Sequence, residues 1–133
     1  MRHLRREPLA GVSSKRVLIV FARADRTVLN PLTSALLRAG DIADRTMLLL
    51  TSLFLAASGP PPNADPHSFV AFGNNPNQQP PSVRSLARAT QESIAAFLTW
   101  NGTGVEIALP AGHEPFFEAP IVPPLPEDPG FTP

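Results

Sequence analysis

Residues 15–46 read KRVLIVFARADRTVLNPLTSALLRAGDIADRT, and their order decides the fold class. Val17–Ala22, VLIVFA, is a continuous apolar run with β-branched residues. Lys15 and Arg16 precede it, and Arg23-Ala24-Asp25 follow. A short apolar run with such borders reads as a strand buried on both faces, the kind that parallel sheets contain. Asn30-Pro31 reads as a helix start, with Asn as N-cap and Pro at the first helical position. Leu32, Ala35, Leu36 and Ala39 recur at helical spacing, and Gly40 closes the pattern as a C-terminal cap. The expected helix is Asn30–Gly40.

Downstream, Met47–Leu55 is apolar apart from Thr51 and Ser52 and reads as strand or buried helix. A strand-helix-strand order favours a second strand there, since a crossing helix is the usual connection between parallel strands. Residues 58–82, SGPPPNADPHSFVAFGNNPNQQPPS, read as a loop rich in Pro, Asn and Gly. A helix is expected from Ser82, its cap, to Trp100, with Leu86, Thr90, Ile94, Phe97 and Leu98 on one apolar face. Asn101-Gly102 ends it. Val105–Leu109 is a candidate edge strand, and the Pro-rich remainder reads as an extended arm lying on a surface. The expected organisation is a domain over 1–101 and a tail over 102–133.

Composition narrows the function. The chain has 133 residues, with 11 basic and 11 acidic side chains. That balance argues against a dedicated nucleic-acid binder. The absence of cysteine excludes a disulfide framework and thiolate-ligated metals. The 17 prolines argue against a purely helical or repeat protein. Charge is unevenly spread: residues 1–45 carry about +5, and residues 89–133 about −6 with no basic residue. The two ends can attract one another across a folded surface. The longest apolar run is far short of the ~20 residues of a membrane span. VLIVFA is too short for the core of a signal peptide, so the expectation from these residues alone is cytoplasmic.

Asp25 lies just past the first expected strand and His67 in the loop after the second. Both belong to the sheet edge where parallel sheets collect ligands and catalytic groups. An Asp and a His there can meet as the orienting acid and general base of a hydrolase triad, in the acid-then-histidine order of α/β-hydrolases. His113, in AGHEPFF, comes after the last helix and reads as an exposed tail residue. His3, His67 and His113 have no metal-ligand spacing, and no cofactor is expected. Phe69, Phe72, Phe116 and Phe117 read as core or loop anchors, with an acyl-pocket lining as the other reading.

On these residues the chain resembles bacterial α/β-hydrolases, specifically a lipase/esterase-like group. Residues 15–46 look like that group's acid-bearing region: a strand, a Gly-Asp-x-x-Val-Pro-Asn-Pro-like turn and a helix. ADPHSFV (64–70) resembles its histidine loop. SLARATQESIAAFLTWNG (85–102) and PFFEAPIVPPLPEDPGF (115–131) resemble its final helix and C-terminal arm. The resemblance implies a partial α/β-hydrolase fold made of the last two parallel strands and their helices. It implies ester hydrolysis on ester or lipid-like substrates, with Asp25 and His67 as catalytic residues and exported longer relatives.

Ala24 stands where the group has Gly, and Leu29 where it often has Pro. A positive φ at position 24 would cost about 1 kcal/mol with Ala. The larger departure is the nucleophile: no G-x-S-x-G occurs in this sequence. The expectation is therefore the C-terminal part of a serine ester hydrolase, inactive by itself. The alternative is a non-catalytic interaction protein that self-associates through an open sheet edge.

Overall fold

The computed structural model describes residues 6–59, 65–74, 79–103 and 106–128, without the side chains of 72–74. His3 and the side chain of Phe72 lie outside the described residues. Two short parallel strands organise the chain. Strand β1 is Ile19–Ala22 and β2 is Thr46–Leu49, paired from Ile19↔Thr46 to Ala22↔Leu49. Helix α1, Asn30–Gly40, connects them. A third strand, β3, Phe117–Glu118, runs antiparallel on the other side of β2. The order β1-β2-β3 makes a small mixed sheet, and with three helices the chain is of the α/β class.

Side chains alternate across this sheet, as strand geometry requires. Ala22, Met47 and Leu49 enter one core with Phe54, Phe69, Val83, Leu86 and Phe117, and Val20 packs at its margin. Phe21 and Leu48 enter the other with Leu37, Ile42 and Ile121, and Ile19 packs at its margin. All of β2 is buried, but Ile19 and Val20 are only half-buried. The reason is position: among the described residues β2 has a partner on each edge and β1 has one. The expectation of a first strand buried on both faces therefore holds only for its second half.

Helix α1 has the expected bounds but different ends. Leu29 takes the cap position with no side-chain cap, and Asn30 is turned inward. The left-handed residue after the helix is Asp41, with φ 49°, not Gly40. Asp tolerates that conformation better than most residues. Its N–H reaches back to the carbonyls of Leu37 and Arg38, closing the last turn.

The expected second strand stops early. Thr51–Ser58 is helix α2. Leu53-Phe54-Leu55-Ala56-Ala57 favours helix by its leucines and alanines, and one side suffices to bury it: Thr51 and Phe54 are buried, Ser52 and Leu53 exposed. The ladder ends where the Leu50 N–H donates to the Phe116 carbonyl at 2.8 Å.

Helix α3 is Pro81–Thr99, with Pro80 rather than Ser82 at the cap position. Val83, Leu86, Ala87, Thr90, Ser93 and Phe97 are its buried stripe. Leu98, expected on that face, is 66% exposed. Arg16 fastens the start of β1 to the end of α3. Its guanidinium donates to the carbonyls of Phe97 (3.0 Å), Leu98 (3.1 Å) and Trp100 (3.2 Å). It also lies over the Phe97 and Trp100 rings, at 5.2 and 5.7 Å. A cation at a helix C-terminus meets unpaired carbonyls and the negative end of the helix dipole.

Of the expected edge strand at Val105–Leu109, residue 105 lies outside the described residues and 106–109 are not strand. The arm supplies β3 later, where buried Phe117 anchors it. Beyond β3 it crosses the α1 side of the sheet. Ile121 is buried there, and the Ser34 hydroxyl donates to the Pro126 carbonyl at 2.6 Å. Arg38 pairs with Glu127 and Arg45 with Glu106, so the basic first third and the acidic arm do meet. Among the described residues no helix is long and apolar enough to cross a membrane.

Candidate active site

The Arg23 N–H donates to the Leu49 carbonyl at 2.8 Å, extending the β1–β2 ladder by one residue. The chain then turns sharply at Ala24, whose φ is +65°. This is the left-handed conformation that the Gly-to-Ala departure makes costly, by about 1–2 kcal/mol. Asn30 holds the turn from below. It is 1% exposed, and both ends of its amide are engaged. Its Oδ1 accepts the Ala24 N–H at 2.9 Å, and its Nδ2 donates to the Ala22 carbonyl at 2.9 Å. The asparagine expected as a helix cap is thus the clamp of the acid turn.

Asp25 follows, 6% exposed. Its Oδ1 accepts the N–H groups of Thr27 and Val28, each at 2.8 Å, which makes a tight side-chain turn. His67 approaches from the loop beyond α2. Its Nδ1 lies 3.0 Å from Asp25 Oδ2 and 3.2 Å from Oδ1. An ionised carboxylate only accepts, so Nδ1 carries the proton and Nε2 keeps its lone pair. The His67 side chain is 39% exposed. Among the described residues nothing hydrogen-bonds to Nε2. The bond to Asp25 is the main cause that raises the His67 pKa above its ordinary 6.5. Burial opposes that shift, and the charges of Asp25 and Asp65 add to it.

Asp65 joins the two halves of the site. Its Oδ1 accepts the Arg26 N–H at 3.2 Å and the His67 N–H at 3.0 Å. Its Oδ2 accepts the Thr27 hydroxyl at 3.1 Å. Burial pushes the Asp65 carboxyl up, but these three donors outweigh it and leave the pKa below 3.8. The sequence did not single out Asp65 as a site residue. Its signal was local: an Asp two residues before His67, across a proline, is placed to bind the His67 N–H.

The other singled-out residues lie elsewhere. Phe69 and Phe117 are core. Phe116 is half-buried edge-on to Phe54, with ring centroids 5.5 Å apart. His113 is not the exposed tail residue expected: it is half-buried, and its Nε2 is 3.0 Å from the Ser85 hydroxyl on α3. His113 sits at the cap position of the short 3-10 turn Glu114–Phe116 that leads into β3. Among the described residues no cluster of three or more His, Asp or Glu is arranged to hold a metal ion.

No family model, no curated protein and no solved structure matches this chain. The arrangement must therefore be judged on its own chemistry. A buried carboxylate orients an imidazole whose second nitrogen is open, at the carboxyl edge of two parallel strands. Such a pair can take a proton from a hydroxyl brought to Nε2 and stabilise the imidazolium that results.

Proposed function

We propose that this chain is the acid–histidine portion of a lipase/esterase-like serine ester hydrolase, with the nucleophile in a segment outside the sequence. Asp25 orients His67. His67 takes the serine proton through Nε2 and returns it to the leaving alcohol. The observation that carries the reading is the 3.0 Å contact between His67 Nδ1 and the Asp25 carboxylate, with Nε2 without a partner among the described residues. The reading also rests on the resemblance of residues 15–46, 64–70, 85–102 and 115–131 to that group. The substrate class is an ester or lipid-like small molecule.

The test joins the chain to the coding segment that precedes it in its gene. A G-x-S-x-G elbow is expected there, and the joined protein should turn over p-nitrophenyl esters. His67→Ala should abolish that turnover. Joined protein whose activity ignores His67 would overturn the reading. So would robust esterase activity of the isolated chain that is lost on the same substitution, since it would place the nucleophile inside these residues.

One observation favours the second reading, a self-associating protein without catalysis. Among the described residues no strand pairs with the outer edge of β1. An apolar groove of about 550 Å³, lined by Val17, Leu18, Val20, Val70, Ile94 and Phe97 among others, runs beside that edge. An unpaired edge of this kind accepts another strand. A dimer by analytical ultracentrifugation, dissociated by Val20→Pro, would favour it. A monomer at all concentrations would remove it.

A further inference from the structure

Ser85, whose hydroxyl meets His113, lines a polar cleft separate in its residues from Asp25 and His67. The cleft has a volume of about 370 Å³. Arg84, Ser85, Arg88 and Glu92 on α3 line one side, and Ala111 of the arm lines the other. Neither the Arg84 nor the Arg88 guanidinium has a hydrogen-bond or ion-pair partner among the described residues. Arg84 Nε and His113 Nδ1 are buried with no hydrogen-bond partner. Buried polar atoms without partners are uncommon in folded proteins, and each calls for an explanation.

We infer that this cleft binds a phosphate group, as the free ion or as the head of a small phosphomonoester. Arg84 and Arg88 are four residues apart on one helix, so their side chains leave the same face about 6 Å apart. Two guanidinium forks at that separation can each donate to a different oxygen of one tetrahedral oxyanion. The Ser85 hydroxyl lies between them in sequence and adds a third donor. His113 holds that hydroxyl through Nε2 at 3.0 Å, which restricts its rotation. With the hydrogen on Nε2, His113 donates to Ser85 Oγ and leaves the hydroxyl hydrogen free for the anion. A planar carboxylate offers two oxygens in one plane, whereas a tetrahedral phosphate presents separate oxygens to both forks and to the Ser85 hydroxyl. A phosphate dianion balances both arginines. Glu92, one turn beyond Arg88, repels charge at that end and places the anion between Arg84 and Arg88. The cleft volume is at the small end of ligand sites, enough for a phosphate with a small organic substituent.

The test titrates inorganic phosphate, then phenyl phosphate, into the isolated chain at constant ionic strength, with acetate as the control. Binding is followed by calorimetry and by the NMR signals of His113 and the arginine side chains. Saturable binding is expected, with His113 and Ser85 shifted and His67 unmoved. Arg88 is exposed, so Arg88→Gln should leave the fold intact and weaken binding about tenfold, equivalent to ~1.4 kcal/mol. Ser85→Ala should weaken it several-fold. His67→Ala should change nothing, which separates this site from the proposed hydrolase function. Tighter binding of phenyl phosphate than of the free ion would assign the site to a monoester, and the reverse to inorganic phosphate. Binding matched by acetate, or unchanged in Arg88→Gln, would overturn the inference. So would no binding of either phosphate.

Discussion

Asn30→Ala tests the clamp on the acid turn. The side chain satisfies two backbone groups, the Ala24 N–H and the Ala22 carbonyl, each at 2.9 Å. Bonding direction alternates along a strand. Arg23 donates toward β2, so the Ala22 carbonyl faces the outer edge of β1, where Asn30 meets it. Asn30 is 1% exposed, so water cannot replace the lost amide without the turn opening. Each hydrogen bond contributes about 0.5–1.5 kcal/mol net, and a buried group left unpaired costs about 1–3 kcal/mol. The better helix propensity of Ala offsets about half a kcal/mol. The expected loss of stability is therefore about 2–4 kcal/mol. Urea unfolding followed by far-UV circular dichroism, at matched slope, measures it. Asn30→Asp keeps the acceptor but sets an oxygen against the Ala22 carbonyl, so it should be at least as damaging. The turn also positions Asp25, and NMR titration of His67 in Asn30→Ala should show its pKa falling toward 6.5. A loss below about 0.5 kcal/mol, with His67 unchanged, would refute the clamp.

Three further outcomes follow from the same geometry. Ala24→Gly relieves the left-handed strain of φ +65°. It should stabilise by about 0.5–1 kcal/mol after the flexibility glycine adds to the unfolded chain; a lower urea midpoint would contradict this. Asp65→Ala removes three accepted hydrogen bonds from a half-exposed carboxylate. It should cost about 1 kcal/mol, discounted for solvent screening, and lower the His67 pKa less than Asp25→Asn does, as paired NMR titrations would show. Stability should also peak on the acid side of neutral. The raised pKa of His67 contributes stability in full below 6.5, lost as pH rises through the folded value. The lowered pKa values of Asp65 and Glu114 contribute above their ordinary 3.8 and 4.5, lost as pH falls through the folded values. A urea midpoint that climbs steadily from pH 6 to 8 would be the wrong sign for His67.

Much of this molecule follows from local pattern. VLIVFA is apolar without helical period and is bounded by charge, so the first strand is legible. Asn30-Pro31 through Gly40 carries helical spacing with a proline where a helix tolerates one. The long helix has its stripe, and the acid-then-histidine order places Asp25 and His67 on one sheet edge. Other features are silent at that range. Met47–Leu55 is apolar except at Thr51-Ser52, too short an interruption for periodicity to mark where β2 yields to α2. The change of direction is set by Phe116 ending the ladder from 66 residues away at Leu50. The third strand is Phe117–Glu118, where Phe117 is buried and pairs with Leu49, and residues within 106–109 pack on the same core without pairing as strand.

The sequence by itself determined the class, the two parallel strands and the pair of groups that can act together, because each rests on residues close in the chain or on strand order. Only the tertiary structure decided what those residues do to one another. Asn30 could cap a helix or clamp a turn, and the buried backbone groups of residues 22 and 24 drew it inward. Asp65 became the bridge between Arg26, Thr27 and His67, and His113 turned from an exposed tail residue into the partner of Ser85. A hydrogen bond depends on distance and desolvation in space, and the one-dimensional order of side chains carries neither.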